Sequence, residues 1–318
     1  MNINALSRRH LMFVVTSLGL TATAFGACAK QEPKETPKKE TPEKAPALLF
    51  APLAELEAKS GGRLGVSILN KTSGATIGHR ADERFAMCST FKLPLCAVIL
   101  HEADQGRIDL QEKLRFSKAD MVANSPVTQD NIANGAMTIA ALCEATQTTS
   151  DNLAANLLVT RLGGPAVLTQ HLRGLGDLNT RIDRTEPEMN QVLVGDDNDT
   201  TTPIAMMQLL DRILTTDLLK QESLERLTAW MIATKTGAKR LRAGFPADWK
   251  AGNKTGTGGS AHDMPNRYND VAIAWPPNKN PIIITSYYES PVKSEDMRDE
   301  DQAVLAQVAR IAAEWVST

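Results

Sequence analysis

The chain has 318 residues, of which 42% are apolar, and its formal charge at pH 7 is only -2. This composition indicates a globular protein that can bury a full core. The near balance of 35 basic and 37 acidic residues gives no bias toward nucleic acid or acidic partners, and we expect no nucleic-acid ligand.

The first part of the chain carries an export signal. Arg8 and Arg9 precede the apolar stretch 11–25, which is too short for the ~30 Å hydrocarbon core of a bilayer. Residues 1–29 are therefore predicted to be a signal peptide rather than an anchor helix. The stretch 7–12 (Ser-Arg-Arg-His-Leu-Met) resembles a twin-arginine export signal, and an ordinary Sec signal is the alternative.

A second signal follows at Cys28. The sequence Phe25-Gly26-Ala27-Cys28 resembles a bacterial lipobox, with Phe25 where leucine is usual, and cleavage after Ala24 is the alternative. Residues 30–47 are rich in Pro, Lys and Glu and are predicted to form an extended linker. At ~3.1 Å per residue this linker would reach roughly 50 Å. We expect a periplasmic protein, held at a membrane if Cys28 is lipidated.

Residues 48–318 are predicted to form one folded unit, and its two ends show the same kinds of element. Apolar periodicity of 3.6 predicts helices and alternation predicts strands. The elements expected near the ends are a helix at Pro52–Lys59, a hairpin of Leu64–Asn70 and Ala75–His79, strands at Asp270–Trp275 and Pro281–Tyr288, and a helix at Asp299–Trp315.

The middle of the chain has helical periodicity and little that indicates strand. The runs are Leu93–Gln105, Thr138–Thr148, Leu153–Leu162 and Ile204–Leu214. We therefore expect an α/β fold of the α+β sandwich type. An antiparallel sheet with flanking helices would come from about 48–87 and 234–318, and an all-helical lobe from about 88–233 would be inserted. The cleft between the lobes is the expected place for a site.

A serine and a lysine stand three residues apart at the start of one helical run. Ser89 and Lys92 fall on one face at the positively polarised helix end, so the amine can take the serine proton. Roughly one such Ser-x-x-Lys pattern is expected by chance in a chain of this length. A second one, at Ser290 and Lys293, is interpreted as a chance match without function.

Further motifs follow in a fixed order. They are Ser150-Asp151-Asn152, the loop sequence Arg184-Thr185-Glu186-Pro187-Glu188-Met189-Asn190, and Lys254-Thr255-Gly256. A second Lys-Thr-Gly triplet occurs at 235–237, but it follows a helical run. The triplet at 254–256 precedes the predicted strand Asp270–Trp275 and is preferred, because a catalytic serine of this kind needs a sheet edge beside it. These motifs are those of class A serine β-lactamases.

Over residues 48–318 the chain resembles that family. The resemblance implies that a β-lactam amide is hydrolysed through a serine acyl-enzyme, which confers antibiotic resistance. It implies a small-molecule β-lactam substrate, a monomer and no cofactor. The histidines are too scattered for a zinc site, so we expect no metal.

The resemblance also implies catalytic roles. Ser89 attacks the carbonyl, Lys92 activates it, and Ser150 returns a proton to the leaving nitrogen. Glu186 and Asn190 hold the water that cleaves the ester, which needs a positioned base at neutral pH. Whether Lys92 or Glu186 is the base for the first step stays open.

Substrate contacts are implied as well. The sheet-edge motif Lys254-Thr255-Gly256 and Thr257 would bind the substrate carboxylate, and the backbone N–H groups of Ser89 and Thr257 would bind the oxyanion. Arg240 would add a second cation, or else be a solvated surface arginine. Asn152 would hold the substrate's side-chain amide. Asn124 stands where many relatives have an aromatic gate.

Two pairings are implied by the family. Cys96 and Cys143 occupy positions that are bridged by a disulfide in several relatives, with two buried thiols as the alternative. Cys88 is expected to be free. Arg184 and Asp199 are expected to pair across the neck of the loop.

Two other functions share part of this chemistry. A penicillin-binding D,D-peptidase has the same serine, lysine and triplet motifs but lacks the loop glutamate. A non-catalytic β-lactam-binding lipoprotein or sensor would need Ser89 but not Glu186. The presence of Glu186 favours the hydrolase over both.

Overall fold

Strands are concentrated toward the two ends of the described chain and helices toward its middle. The computed structural model describes residues 50–259 and 264–317. Its helices are α1 (Ala51–Ser60), α2 (Lys92–Asp104), α3 (Pro126–Asp130), α4 (Ile139–Thr148), α5 (Asn152–Leu162), α6 (Pro165–Gly174), α7 (Pro203–Thr215), α8 (Gln221–Ile232) and α9 (Asp299–Trp315). Its strands are β1 (Arg63–Asn70), β2 (Thr76–His79), β3 (Phe85–Ala86), β4 (Lys113–Arg115), β5 (Ala136–Thr138), β6 (Thr200–Thr201), β7 (Lys250–Gly258), β8 (Arg267–Trp275) and β9 (Ile282–Glu289).

The main sheet joins the two ends of the folded chain. Its five strands run in the order β2-β1-β9-β8-β7, and every neighbouring pair is antiparallel. Ser67 of β1 lies opposite Thr285 of β9, which pairs the beginning of the chain with its end. The predicted antiparallel sheet is therefore confirmed.

Both faces of this sheet are buried. Along β8, Val271 and Ile273 belong to the core shared with the central helices, whereas Ala272 and Ala274 belong to the core under α1 and α9. Side chains alternate between the two faces of a strand, so a slip by one residue would exchange the two cores. Burial on both faces thus fixes the register of β8 against its neighbour β7, which is the edge strand of the sheet.

Helix α9 spans the predicted range. Asp299, Glu300 and Asp301 occupy its first turn, where negative charge stabilises the positive end of the helix dipole. Val304 and Val308 are buried against the sheet, in line with the predicted apolar face.

In the predicted helical lobe, about 88–233, helices predominate, and the exceptions are three short strands: β4 and β5, which pair with each other, and β6, which pairs with β3 just before the lobe. The sequence also failed to predict β7. Two of its glycines stand where neighbours are very close: a Cβ at Gly252 would lie 2.8 Å from Met231 Cβ, and one at Gly256 would lie 2.6 Å from Met87 O. Glycine weakens the strand pattern, but here it lets the edge strand approach other elements.

The expected disulfide between Cys96 and Cys143 is not formed. Cys88, Cys96 and Cys143 are buried free thiols, so the expectation that Cys88 is free is confirmed. Cys96 Sγ donates to the backbone oxygen of Cys143 at 3.5 Å, and its side chain also contacts the Cys143 thiol. The contact between α2 and α4 is therefore one of apolar packing, in which a thiol behaves as a small apolar group.

The predictions for the export signal, the lipid site and the linker fall on residues outside those described. Among residues 50–259 and 264–317, the helices are too short or too polar to cross a membrane.

Candidate active site

Ser89 lies in a short 3-10 helix, Cys88–Phe91, that leads into α2. Cys88 has a φ of 47°, a left-handed conformation that is uncommon outside glycine. Ser89 Oγ donates to Oε1 of Glu186 at 3.0 Å. The turn thus presents a hydroxyl group to a carboxylate at the positively polarised end of a buried helix.

Lys92 is the first residue of α2 and is fully buried. Its Nζ donates to Ser150 O at 2.9 Å and to Asn152 Oδ1, and lies 3.0 Å from Glu186 Oε1. Burial lowers the pKa of Lys92, while the negative charge of Glu186 opposes this shift. Ser89 and Lys92 therefore meet at one carboxylate oxygen, so the predicted serine–lysine pair is bridged by Glu186.

Glu186 is held at both its side chain and its main chain. Its Oε2 accepts a hydrogen bond from Asn190 Nδ2 at 2.5 Å. Asn156 of α5 donates to Glu186 O at 2.7 Å and accepts from Glu186 N at 2.9 Å. The peptide bond to Pro187 is cis. Asn156 was not predicted as a site residue, although it lies four residues after Asn152 and hence on the same helix face.

The loop that carries Glu186 is closed at its neck. Arg184 Nε lies 2.5 Å from Asp199 Oδ2. Oδ1 of the same buried carboxylate accepts the backbone N–H groups of Asp183 at 2.8 Å and Arg184 at 3.0 Å. The expected pair at the neck is present, and these bonds fix the loop against the rest of the chain.

Ser150 lies between two lysines. Its Oγ accepts from Lys254 Nζ at 3.0 Å and from Lys92 Nζ at 3.4 Å. Burial lowers the pKa of Lys254 well below its usual value, and the charge of Lys92 acts in the same direction. Because both ammonium groups donate to the hydroxyl oxygen, the hydroxyl proton of Ser150 is available for donation into the cleft.

Asp151 organises this part of the site. It is fully buried, and it is the N-cap residue of α5, accepting from Ala154 N at 2.9 Å. Asp151 therefore caps the helix that follows Ser150. The same carboxylate accepts the N–H groups of Val127 and Thr128, each at 2.9 Å. An aspartate just before a helical run is a recognisable cap signal, so this role of Asp151 could have been predicted from the sequence.

Asn124 and Asn152 line one wall of the cleft. Asn124 has a φ of 58°, and its Nδ2 donates to Ser150 O at 3.1 Å. Asn152 Nδ2 donates to Ala123 O at 2.9 Å, while its Oδ1 accepts from Lys92. Both amide side chains are thus tied to the residues that surround the nucleophile.

Strand β7 forms the opposite wall and carries Lys254, Thr255, Gly256 and Thr257. Gly256 has no side chain where β7 passes the turn that carries Ser89. A Cβ there would also lie 3.1 Å from Thr90 Cγ2. This close approach makes the edge of the sheet a wall of the same cleft as Ser89.

Arg240 is buried, with 2% of its surface exposed, so the alternative of a solvated surface arginine is wrong. Its Nη1 donates to Gly256 O and Asn269 O, each at 2.8 Å. Its Nη2 donates to Thr257 Oγ1 at 2.6 Å. Because Arg240 supplies the hydrogen to this oxygen, the Thr257 hydroxyl can direct its own proton toward a ligand.

The cleft has a volume of about 720 Å³ and is lined by the predicted catalytic residues other than the buried Lys92. The rival triplet 235–237 lies on its wall, where Thr236 Oγ1 is 2.7 Å from Thr255 Oγ1. That triplet was set aside as a motif, yet it supports the sheet-edge triplet that lies beside Ser150.

This arrangement can perform acyl transfer. It combines a serine hydroxyl beside a carboxylate, a second hydroxyl between two amines, and a cationic wall that suits an anionic substrate. Protein side chains can supply each of these functions without a bound cofactor.

Comparison with known proteins identifies the family. The model of the β-lactamase enzyme family matches residues 49–316. β-Lactamase AST-1 of Nocardia asteroides is 42% identical over 261 residues, which cover 82% of this chain and 81% of that protein. β-Lactamase L2 of Stenotrophomonas maltophilia is 40% identical over 312 residues, covering 96% of this chain and 97% of L2.

Solved structures agree with this assignment. An ancestral class A β-lactamase superposes with a TM-score of 0.78 at 49% identity, covering 83% of this chain and 98% of its own. A β-lactamase from Burkholderia vietnamiensis superposes with the same TM-score, 0.78, at 43% identity, covering 84% and 96% of the two chains. The chain belongs to the class A serine β-lactamases, enzymes that hydrolyse β-lactam antibiotics through a serine acyl-enzyme and so confer resistance to them.

Proposed function

We propose that Ser89 is the nucleophile and that its proton passes first to Glu186. The observation that carries this proposal is the 3.0 Å hydrogen bond from Ser89 Oγ to Glu186 Oε1. The serine oxygen then bonds to the lactam carbonyl carbon, and the backbone N–H groups of Ser89 and Thr257 stabilise the oxyanion. Lys92, beside the same carboxylate oxygen, stabilises the charge that moves during the attack.

Ser150 is the proposed donor to the leaving nitrogen. When the lactam C–N bond breaks, the nitrogen takes the Ser150 proton, and Lys92, 3.4 Å away, replaces it. Glu186 returns its proton to Lys92 across 3.0 Å. The Glu186 carboxylate is thereby restored before the ester is hydrolysed. Ser150, Lys92 and Glu186 then have the same protonation states as before acylation.

Glu186 and Asn190 are the proposed pair that binds the hydrolytic water. The carboxylate takes a proton from this water as its oxygen attacks the acyl carbon, and Ser89 leaves as the free hydroxyl. The hydrogen bond from Asn190 Nδ2 to Glu186 Oε2 supports this role, because it holds the base in one orientation.

Substrate recognition is proposed to be divided between the two walls of the cleft. Lys254, Thr255 and Thr257 bind the carboxylate of the antibiotic, and Arg240 supports Thr257. On the other wall, Asn152 and Asn124 face the substrate's side-chain amide.

Class A β-lactamases are typically exported. We propose that this enzyme acts as a periplasmic monomer, with residues 1–29 as its export signal, a linker at 30–47 and the catalytic domain at 48–318. A lipid at Cys28 would hold that domain near a membrane. The similarity to L2, which covers 96% of this chain, extends into this leader. N-terminal analysis of the exported protein tests the lipid, since any mature N-terminus other than a modified Cys28 contradicts it.

Intact-mass spectrometry after mixing with excess penicillin tests the assigned chemistry. We expect the mass to return quickly to that of the free enzyme, with ring-opened penicillin accumulating. A persistent adduct on Ser89 would instead favour a β-lactam sensor or a slow D,D-peptidase, and would contradict the proposed role of Glu186.

A further inference from the structure

Asp270 is a buried carboxylate behind the sheet-edge wall of the cleft. It lies on β8 directly opposite Thr255 of β7 and is fully buried. The proposed chemical steps do not use it. A buried ionisable group is costly unless it is paired, so its position calls for a physical account.

The contacts of Asp270 lead to the segment 237–241. Its Oδ2 accepts the backbone N–H of Leu241 at 3.2 Å, and its Oδ1 accepts from Asn253 Nδ2 at 2.8 Å. At the other end of the segment, Gly237 has a φ of 78°, and a Cβ there would lie 2.5 Å from Thr255 Cγ2 and 3.6 Å from Asp270 Oδ2. Both ends of the segment therefore lie against the sheet, close to Asp270.

Arg240 lies within this segment and needs a countercharge. Burial lowers the pKa of Arg240, and the negative charge of Asp270 is the largest effect that opposes this shift. Interactions between buried charges are screened less than those at the surface, so Asp270 can act on Arg240 without a direct ion pair. Asp270 thus fixes the backbone beside Arg240 and also balances its charge.

We propose that Asp270 is a positioning residue for recognition of the substrate carboxylate, acting through Arg240 on Thr257. The proposal rests on the role proposed above for Arg240 and Thr257. Arg240 donates to Thr257 Oγ1 at 2.6 Å, and this contact leaves the Thr257 proton free to meet the carboxylate. A displaced Arg240 would release the threonine hydroxyl to other orientations.

The test compares Asp270→Asn with the wild type on a penicillin that has a free carboxylate and on its methyl ester. We expect KM for the free acid to rise about tenfold while kcat changes less than about twofold. KM for the ester should stay unchanged, since the ester lacks the recognised charge. Arg240→Ala should have the same effect as Asp270→Asn, and the double variant should add little to either.

Asp177→Asn is the matched control, because Asp177 is also a buried carboxylate but caps the backbone at Asn179 and Thr180. It should leave the ratio of KM values for acid and ester unchanged. If Asp270→Asn does not fold, Asp270→Ser provides a second neutral side chain with an acceptor for Leu241 N–H.

Equal losses on acid and ester, or additive effects of the two substitutions, would overturn the proposal and leave Asp270 a purely structural residue. Failure of the proposed catalytic chemistry gives a different result, namely a wild type without turnover. The acid-to-ester ratio can then be measured on the rate of acyl-adduct formation.

Discussion

Lys254 Nζ donates to Ser150 Oγ at 3.0 Å, and both residues are buried at the junction of β7 and the start of α5. Burial lowers the pKa of this lysine well below that of a solvated one. Because the contact joins the sheet to the helical part of the chain, it couples the fold directly to the proton donor that the mechanism assigns.

Ser150→Ala removes the group assigned to protonate the leaving nitrogen. We expect kcat/KM for a penicillin to fall by about 10²- to 10³-fold, as is typical for loss of a general acid, with little change in Tm. Ser67→Ala is the control, since Ser67 is a buried serine of β1 that does not line the cleft. Activity of Ser150→Ala within about threefold of the control would rule out this donor role.

Asn156→Ala removes both hydrogen bonds that hold the backbone of Glu186. We expect a loss of about 1–3 kcal/mol in the free energy of unfolding, because two buried backbone groups lose their partner. Deacylation, followed by single-turnover kinetics, should slow by about tenfold because the base is less well placed. Asn134→Ala, at an exposed asparagine, should change neither quantity. Unaltered deacylation in Asn156→Ala would contradict the positioning role.

Glu57 forms an ion cluster with His79 and Arg80, at 2.7 Å from each. Burial alone would raise the pKa of Glu57, but hydrogen bonds from Arg80, Leu64 N–H and His79 outweigh it and lower the pKa from 4.5 to about 2. A carboxylate whose pKa is lowered by folding stabilises the fold above its unfolded pKa and loses this contribution as the pH falls.

Glu57→Gln should therefore be less stable than the wild type by about 1–2 kcal/mol at pH 7, after allowance for solvent screening. The difference should shrink as the pH falls from 4.5 toward about 2, where the wild-type carboxyl becomes protonated. Denaturant unfolding across this range measures it, with Glu55→Gln on the same helix as the exposed control. A difference that grows toward low pH would show that the cluster does not stabilise the charged form.

The outer elements of the fold were predictable because their patterns are local. The alternation in β1 and the acidic start of α9 each indicate the element without knowledge of its neighbours. Strand β7 was missed because its glycines are selected by contacts with Met87 and Met231, which are distant in sequence. Whether Cys96 and Cys143 form a disulfide could not be predicted from the sequence either, because the direction of each thiol depends on the packing around it.

The motif residues of the site could be predicted, but their partners could not. Ser89 and Lys92 are recognisable by spacing, whereas their common contact with Glu186 Oε1 depends on how the loop folds back. Arg240 could be either surface or buried from sequence alone. It is buried, and the negative charge that opposes the lowering of its pKa comes from Asp270 on β8, a residue that belongs to no recognisable motif.

The role of Glu186 is tested by the turnover of a chromogenic cephalosporin by the wild type, Glu186→Ala and Glu188→Ala. Glu188 is the control because it is an exposed glutamate of the same loop. We predict many turnovers by the wild type and by Glu188→Ala. In Glu186→Ala the carboxylate that opposes the lowered pKa of Lys92 is gone, so a neutral Lys92 can act as the base for acylation. One equivalent of product should then appear and the acyl-enzyme should persist, with deacylation slowed by about 10²- to 10⁴-fold. We would have to reject Glu186 as the residue that makes this serine acyl-enzyme a hydrolase after either of two results. One is steady turnover by Glu186→Ala at the wild-type rate, and the other is arrest of the wild type after one equivalent.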